Sequence, residues 1–236
     1  MLVAASNRLH LKPRDEGGWW FEPWSSNRLV AGLTDRHVEA MRLLSGVRTP
    51  ETTVEAEQIH GSSIAVIGRV RDSRYRVPGC DALLTEIPGV ALFIRTADCL
   101  PIIIADPSRG AIGIAHAGWR GLAARLPARV IAAFRHVYHS RADELSVAIG
   151  PSIRDCCFEV GPEFPARFGR FVQELGGRRT CDLIGVAVEQ LQQSGIRPNR
   201  IVDSGHCTAC EPQHWFSVRR EGDATGRLTS FVMLRR

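Results

Sequence analysis

Val90-Ala91-Leu92-Phe93-Ile94, Ile102-Ile103-Ile104 and Ala111-Ile112-Gly113-Ile114-Ala115 are three short apolar runs bounded by Gly, Pro and Asp. Runs of this length without polar alternation predict strands covered on both faces. Beyond Gly118 the period changes: Leu122, Leu126, Val130, Ile131, Phe134 and Val137 fall near one face of a helix. Pro127 either kinks that helix or starts its second half. Further on, 145–149 reads as a strand stopped by Gly150-Pro151, 164–175 as an irregular helix after Pro162, and 182–193 as an amphipathic helix closed by Gly195. Ile201-Val202 and Leu228–Leu234 supply two more strands. Upstream, 54–59, Ile64–Ile67 and Ala82–Thr85 are brief β-rich runs, and 38–44 is a short helix. Trp19-Trp20-Phe21 and Trp24 carry enough apolar area to close one edge of the core. Strands and helices interleave without a regular βαβ beat, which predicts an α+β fold with mixed sheets, in one domain over residues 1–236.

Composition narrows the function classes. With 44% hydrophobic and 23% charged residues the chain can build a core without staples. The 30 basic and 25 acidic residues leave +5, but no block of five like charges and no recognisable module appear, which argues against nucleic acid while permitting an anionic substrate. The start, Met1-Leu2-Val3-Ala4-Ala5-Ser6-Asn7-Arg8, lacks a secretory pattern. The stretch 90–105 is too interrupted by Arg95, Asp98 and Pro101 to span a membrane. A cytoplasmic protein is expected, and its seven cysteines, odd in number and irregular in spacing, read as reduced thiols.

Two segments place reactive side chains at strand ends. Asp98 and Cys99 fall in the turn Thr96-Ala97-Asp98-Cys99-Leu100-Pro101, and His116 ends the strand leading into Ala117-Gly118-Trp119-Arg120-Gly121. If the strands from Val90, Ile102 and Ala111 lie side by side, Cys99 and His116 meet at one edge. A thiol beside an imidazole has two uses: a thiolate nucleophile with His116 as base, or metal ligation with an open fourth position. His60, in Gln58-Ile59-His60-Gly61 at the end of a predicted strand, is the third ligand that would favour metal. Cys207-Thr208-Ala209-Cys210 has CxxC spacing, but a structural zinc wants a second pair and no partner is evident beyond His206 and His214. Cys156 and Cys157 would point to opposite faces of a strand, so core packing is the reading for both pairs. No GxGxxG or P-loop is present, so phosphate would rely on arginines, with Arg120, Arg219 and Arg220 as candidates.

Together, Gln58-Ile59-His60-Gly61, Asp81-Ala82-Leu83-Leu84-Thr85, Thr96-Ala97-Asp98-Cys99 and Ala115-His116-Ala117-Gly118-Trp119-Arg120-Gly121 resemble the YfiH/laccase-domain family. Its members are called polyphenol oxidases, purine nucleoside phosphorylases or peptidoglycan-editing factors. The likeness continues through Ala148-Ile149-Gly150-Pro151-Ser152-Ile153, Cys156-Cys157-Phe158-Glu159-Val160-Gly161, Cys207-Thr208-Ala209-Cys210, Phe216-Ser217-Val218-Arg219-Arg220 and Thr225-Gly226-Arg227. It implies a layered α/β/β/α sandwich with His60, Cys99 and His116 as metal-binding and catalytic residues. The activity implied is zinc-dependent phosphorolysis of adenosine, inosine, guanosine and methylthioadenosine, with deamination of adenosine. Phosphate and a purine nucleoside would be the partners, and the chain a monomer or homodimer. Arg120 is then the phosphate ligand, and Asp81 and Asp98 bind substrate, orient a ligand His or move a proton. Alternatives are a copper-dependent polyphenol oxidase, a cysteine hydrolase editing peptidoglycan precursors, and a non-catalytic metal- or ligand-binding protein. The chain departs from the family where Gly32-Leu33-Thr34-Asp35-Arg36 runs almost directly into the short helix, leaving the N-terminal region shortened. A second departure lies near Ala187.

Overall fold

The apolar runs at 102–104 and 111–115 become β9 (Leu100–Asp106) and β10 (Ala111–Ala117), every residue of which is buried. They pair antiparallel, Ala117 opposite Leu100 and His116 opposite Pro101. The computed structural model describes residues 9–236 except 16, 23, 25–27, 48 and 71, and the side chains of 46, 47 and 175; the reading of residues 1–8 lies outside them.

β9 and β10 are central in a six-stranded sheet that also holds β5 (Ile64–Ile67), β7 (Ala82–Thr85), β11 (Ser146–Ile149) and β14 (Ile201–Asp203), in the order β14-β11-β9-β10-β7-β5. The run from Val90, β8 (Val90–Thr96), is not their neighbour. It lies in a second, seven-stranded sheet with β1 (His10–Pro13), β2 (Trp19–Glu22), β3 (Leu29–Leu33), β4 (Thr52–Ala56), β6 (Arg74–Val77) and β15 (Leu228–Leu234), ordered β1-β2-β3-β15-β8-β4-β6. Both sheets mix parallel and antiparallel pairs.

Leu92, Ile94 and Val232 from one sheet meet Ile103, Ile112 and Ile114 from the other in the central core. The outer face of the six-stranded sheet is covered by α2 (Trp119–Ala123), α3 (Leu126–Tyr138) and α5 (Leu183–Gln193), through Leu122, Val130, Phe134 and Leu191 on Ile102, Ile104 and Ala115. Gly113 lets Phe134 seat directly on β10, since a Cβ there would lie 2.9 Å from the ring. On the far side α1 (Ala40–Val47) packs Leu43 and Leu44 against Val30, Phe231 and Met233. The result is an α/β/β/α sandwich. Trp20 lies edge-on to Phe231 and Phe21 enters the central core, so the N-terminal aromatics close the core as expected.

Of the two roles open to Pro127, the structure takes the second: it stands in the first turn of α3, which starts after Arg125 turns left-handed at φ 58°. Other local readings change. The helix expected over 164–175 stops after α4 (Phe164–Phe168) and a 3₁₀ turn, and the chain then forms the hairpin β12 (Val172–Leu175) and β13 (Arg178–Cys181). Gly176 and Gly177, at φ 59° and 79°, supply its two-residue turn. The strand expected over 54–59 ends at Ala56, because Gln58 and His60 take positive φ values of 64° and 59°.

Topology decides where the site can be. β4, β6 and β8 run parallel, so their C-terminal ends share one edge of the sandwich. From each end the chain crosses to the other sheet, to β5, β7 and β9 in turn. These crossings carry His60, Asp81 and Cys99. β10 runs antiparallel to β7 and β9 and brings His116 to the same edge.

Candidate metal centre

One ligand atom from each of His60, Cys99 and His116 lies within 4.8 Å of the others. The two imidazole rings stand nearly perpendicular, 82°, with centroids 4.8 Å apart. His116 is buried, Cys99 half-buried and His60 exposed, so the set opens outward. It faces a cleft of about 640 Å³ lined by Gln58, Phe158, Arg76, Arg95, Arg219 and Arg227 among others, a volume in the range of roughly 300–1,000 Å³ common for small-molecule sites.

Asp81 organises the ligands from beneath. Fully buried, it accepts the backbone N–H of His60 at 2.9 Å and of Gly61 at 2.7 Å, and lies 2.9 Å from His116 Nδ1. An ionised carboxylate only accepts, so Nδ1 donates and Nε2 is left to face Cys99. Burial alone would raise the Asp81 pKa, but the bonds from His116, Gly61 and His60 outweigh it and hold it below the usual value. Burial likewise opposes charge on His116 and Cys99. Hydrogen bonds from Asp81 and Cys99 nevertheless lift His116 to about 9, and those from His116 and His60 bring the Cys99 thiol down to about 7. The thiol and the imidazole thus shift each other in opposite directions, each favouring the charged form of its partner.

Backbone strain concentrates here. Gln58, His60 and Asp98, three of the five described non-glycine residues with positive φ, belong to the crossings, Asp98 at 91°. Gln58 is locked by Arg95, donating to its carbonyl at 2.6 Å and accepting its N–H at 2.8 Å. Asp98 accepts from Thr208 Oγ1 at 2.6 Å and from the Arg219 N–H at 2.7 Å. A side chain at Gly118 would crowd the centre, its Cβ 3.0 Å from Cys99 Sγ and 3.5 Å from His60.

A thiolate and two imidazoles are donors suited to zinc or copper, and three of them leave a coordination position free. The structure redistributes the other expected roles. Asp81 does not reach the cleft; its oxygens are spent on His60, Gly61 and His116. Asp98 lines the cleft, but both its oxygens are engaged, one in holding Thr208 and the other the start of α6 (Val218–Glu221). Arg120 is exposed, lies over the Trp119 ring at 4.4 Å and is not among the residues lining the cleft. Arg227, not singled out from sequence, lines the cleft with Arg219. His206 and His214 do not join Cys207 and Cys210 as ligands but surround Trp19 and Trp215. Cys156 and Cys157 are not on a strand; both occupy a turn, with their sulfurs 3.7 Å apart.

The family model described as multi-copper polyphenol oxidoreductase laccase matches residues 17–235. The chain belongs to this family. Its similarity extends to the purine nucleoside phosphorylase YlmD of Geobacillus stearothermophilus, 34% identical over 197 residues, which are 77% of this chain and 72% of that protein. The adenosine deaminase RL5, from an unknown prokaryotic organism, is 33% identical over 193 residues, 74% of this chain and 72% of its own. The crystal structure of the Geobacillus YlmD superposes with a TM-score of 0.86 at 29% identity, covering 96% of this chain and 99% of that one. Family membership and these relatives make the chain an enzyme. Among the described residues no helix is long and apolar enough to cross a membrane.

Proposed function

We propose that the chain is a zinc-dependent purine nucleoside phosphorylase, acting on adenosine, inosine, guanosine and methylthioadenosine, that also deaminates adenosine at the same centre. The observation that carries this reading is the convergence of His60, Cys99 and His116 at the mouth of a cleft, held by a buried Asp81. The names of the YlmD and RL5 relatives supply the substrate class. A zinc-type ion in such an open set would lower the pKa of water or orient an anion.

The chain's own residues do the rest. Asp81 fixes the His116 tautomer, so Nε2 is the nitrogen presented to the site. Arg219 and Arg227 spend their side-chain N–H groups on carbonyls and have no carboxylate partner among the described residues, leaving positive charge for phosphate. Arg76 and Arg95 are less available, since both pair with Glu55. Phe158 lines the cleft with the Arg219 guanidinium 5.2 Å over its ring, which makes the pair the aromatic and cationic surface nearest a bound purine. A copper oxidase would draw on several redox ions, whereas among the described residues this cleft offers one group of a thiol and two imidazoles.

Purified zinc-loaded protein incubated with adenosine should give adenine only when phosphate is present, and inosine with or without it. Cys99→Ala should abolish both products. Absence of both from the zinc-loaded wild type would overturn the assignment, and phenol oxidation that requires copper would replace it.

A further inference from the structure

Four of the seven cysteines converge in a second group, separate from His60, Cys99 and His116. One sulfur from each of Cys156, Cys157, Cys207 and Cys210 lies within 4.8 Å of all the others. The Cys156 sulfur is 3.7 Å from Cys157, 3.7 Å from Cys207 and 3.6 Å from Cys210, and Cys157 is 3.3 Å from Cys210. A tetrahedron of sulfurs about zinc, with Zn–S of about 2.3 Å, has edges of about 3.8 Å. A disulfide needs about 2.05 Å. These spacings match the edges of a metal tetrahedron far better than a bond.

The backbone is arranged for the same purpose. The N–H groups of Ala209 and Cys210, within the CxxC turn itself, point at the Cys207 sulfur, as does that of Arg154 from the facing loop. Amides aimed at sulfur stabilise a thiolate, and they fix the turn so that Cys210 folds back beside Cys207. The facing loop is zipped to this turn by a parallel bridge between Ser152 and Cys207 and by the Thr208 N–H on the Ser152 carbonyl at 3.1 Å. Arg220 donates to the Thr208 and Ala209 carbonyls, and Arg219 to those of Cys157 and Glu159. A guanidinium thus sits on each loop.

We propose that Cys156, Cys157, Cys207 and Cys210 form a second, structural metal site that takes a zinc-type dication and fastens the loops forming one wall of the cleft. Each thiol releases its proton to solvent on binding, so four thiolates and one dication leave a net charge of −2, which solvent reaches at the exposed Cys156 and Cys210. The set is complete, with no position open for substrate, as structural zinc requires. Its effect reaches the first centre through Thr208, whose hydroxyl holds Asp98, the residue before Cys99. Phe158 and Ile153, on the fastened loop, line the cleft. The site stands on its own sulfurs and does not depend on the activity proposed above.

Elemental analysis of protein purified under reducing conditions and desalted should find two zinc ions per chain, falling to one in Cys210→Ala and to one in Cys99→Ala. Cobalt substitution of Cys99→Ala should give the intense charge-transfer absorption of a four-thiolate site, lost in the Cys99→Ala/Cys210→Ala double variant. Without any variant, labelling of wild type by a thiol reagent should leave Cys156, Cys157, Cys207 and Cys210 protected until a chelator is added. One ion in the wild type, retained by Cys210→Ala and lost in Cys99→Ala, overturns the second site while keeping the first; the reverse pattern keeps the second and removes the first. A Cys157–Cys210 disulfide in peptides of the freshly purified protein also overturns it.

Discussion

Replacing Asp81 by Asn changes no heavy-atom count yet should loosen the whole centre. The carboxylate serves three donors: His60 N–H and His116 Nδ1 at Oδ1, and Gly61 N–H at Oδ2. An amide has one acceptor oxygen. Turned to serve His60 and His116, it faces its own NH₂ toward the Gly61 amide; turned the other way, it strands two donors. The least costly arrangement leaves one buried N–H unsatisfied, worth about 1–3 kcal/mol, and weakens two charge-assisted bonds toward the ordinary ~1 kcal/mol. The metal-free protein should therefore lose about 3 kcal/mol of unfolding free energy. Loss of a carboxylate behind a ligand His typically costs tenfold to hundredfold in metal affinity, so zinc should bind Asp81→Asn ~10–100 times more weakly. Urea unfolding of chelator-treated protein measures the first quantity, and competition with a chromogenic chelator the second. Zinc affinity within twofold of wild type, with an unchanged urea midpoint, would refute the role given to Asp81.

Other outcomes follow from the same geometry. In metal-free protein the Cys99 thiol is held at about 7 by His116 and His60 against the effect of burial, so its alkylation should rise with pH through about 7, well below an ordinary thiol; a midpoint near 9 contradicts the pairing, and added zinc should suppress the reaction. Gly118→Ala places a methyl 3.0 Å from Cys99 Sγ and should lower kcat/KM by about ten- to a hundredfold through misplacement of the ligand, with circular dichroism unchanged; full activity would show that Cys99 need not hold its position. Phe134→Ala empties the space above Gly113 and should cost about 3–5 kcal/mol in urea unfolding, while zinc affinity of the folded protein stays near wild type.

The sequence discloses the sandwich's centre because β9 and β10 are buried on both faces, and only continuous apolar runs satisfy that environment. It does not disclose that β8 belongs to the opposite sheet, since an apolar run looks the same whichever layer it enters. Cys99 and His116 are still found, because the meeting depends on β9 and β10 alone. His60 is found through its motif rather than its geometry, as its left-handed backbone leaves no mark in the periodicity. Arg120 misleads because adjacency to His116 in sequence says nothing about which way the first turn of α2 points. The four sulfurs escape notice because Cys156-Cys157 reads as part of a strand, whereas the backbone turns there and brings both side chains to one side. The hairpin at 172–181 is missed although Gly176-Gly177 marks its turn, because the flanking residues are mostly polar and alternate weakly.

The three crossings at one edge have a mechanical consequence. His60 and Cys99 each sit on a strap that ties one sheet to the other, and His116 is anchored in the six-stranded sheet alone. An ion shared by all three would act as a rivet through both leaves, resisting their sliding past one another. Binding only the folded chain, it would add RT ln(1 + [M]/Kd) to the unfolding free energy, so the melting temperature should climb with the logarithm of free metal. Each tenfold increase above saturation adds about 1.4 kcal/mol, making heat resistance a gauge of the ion supply.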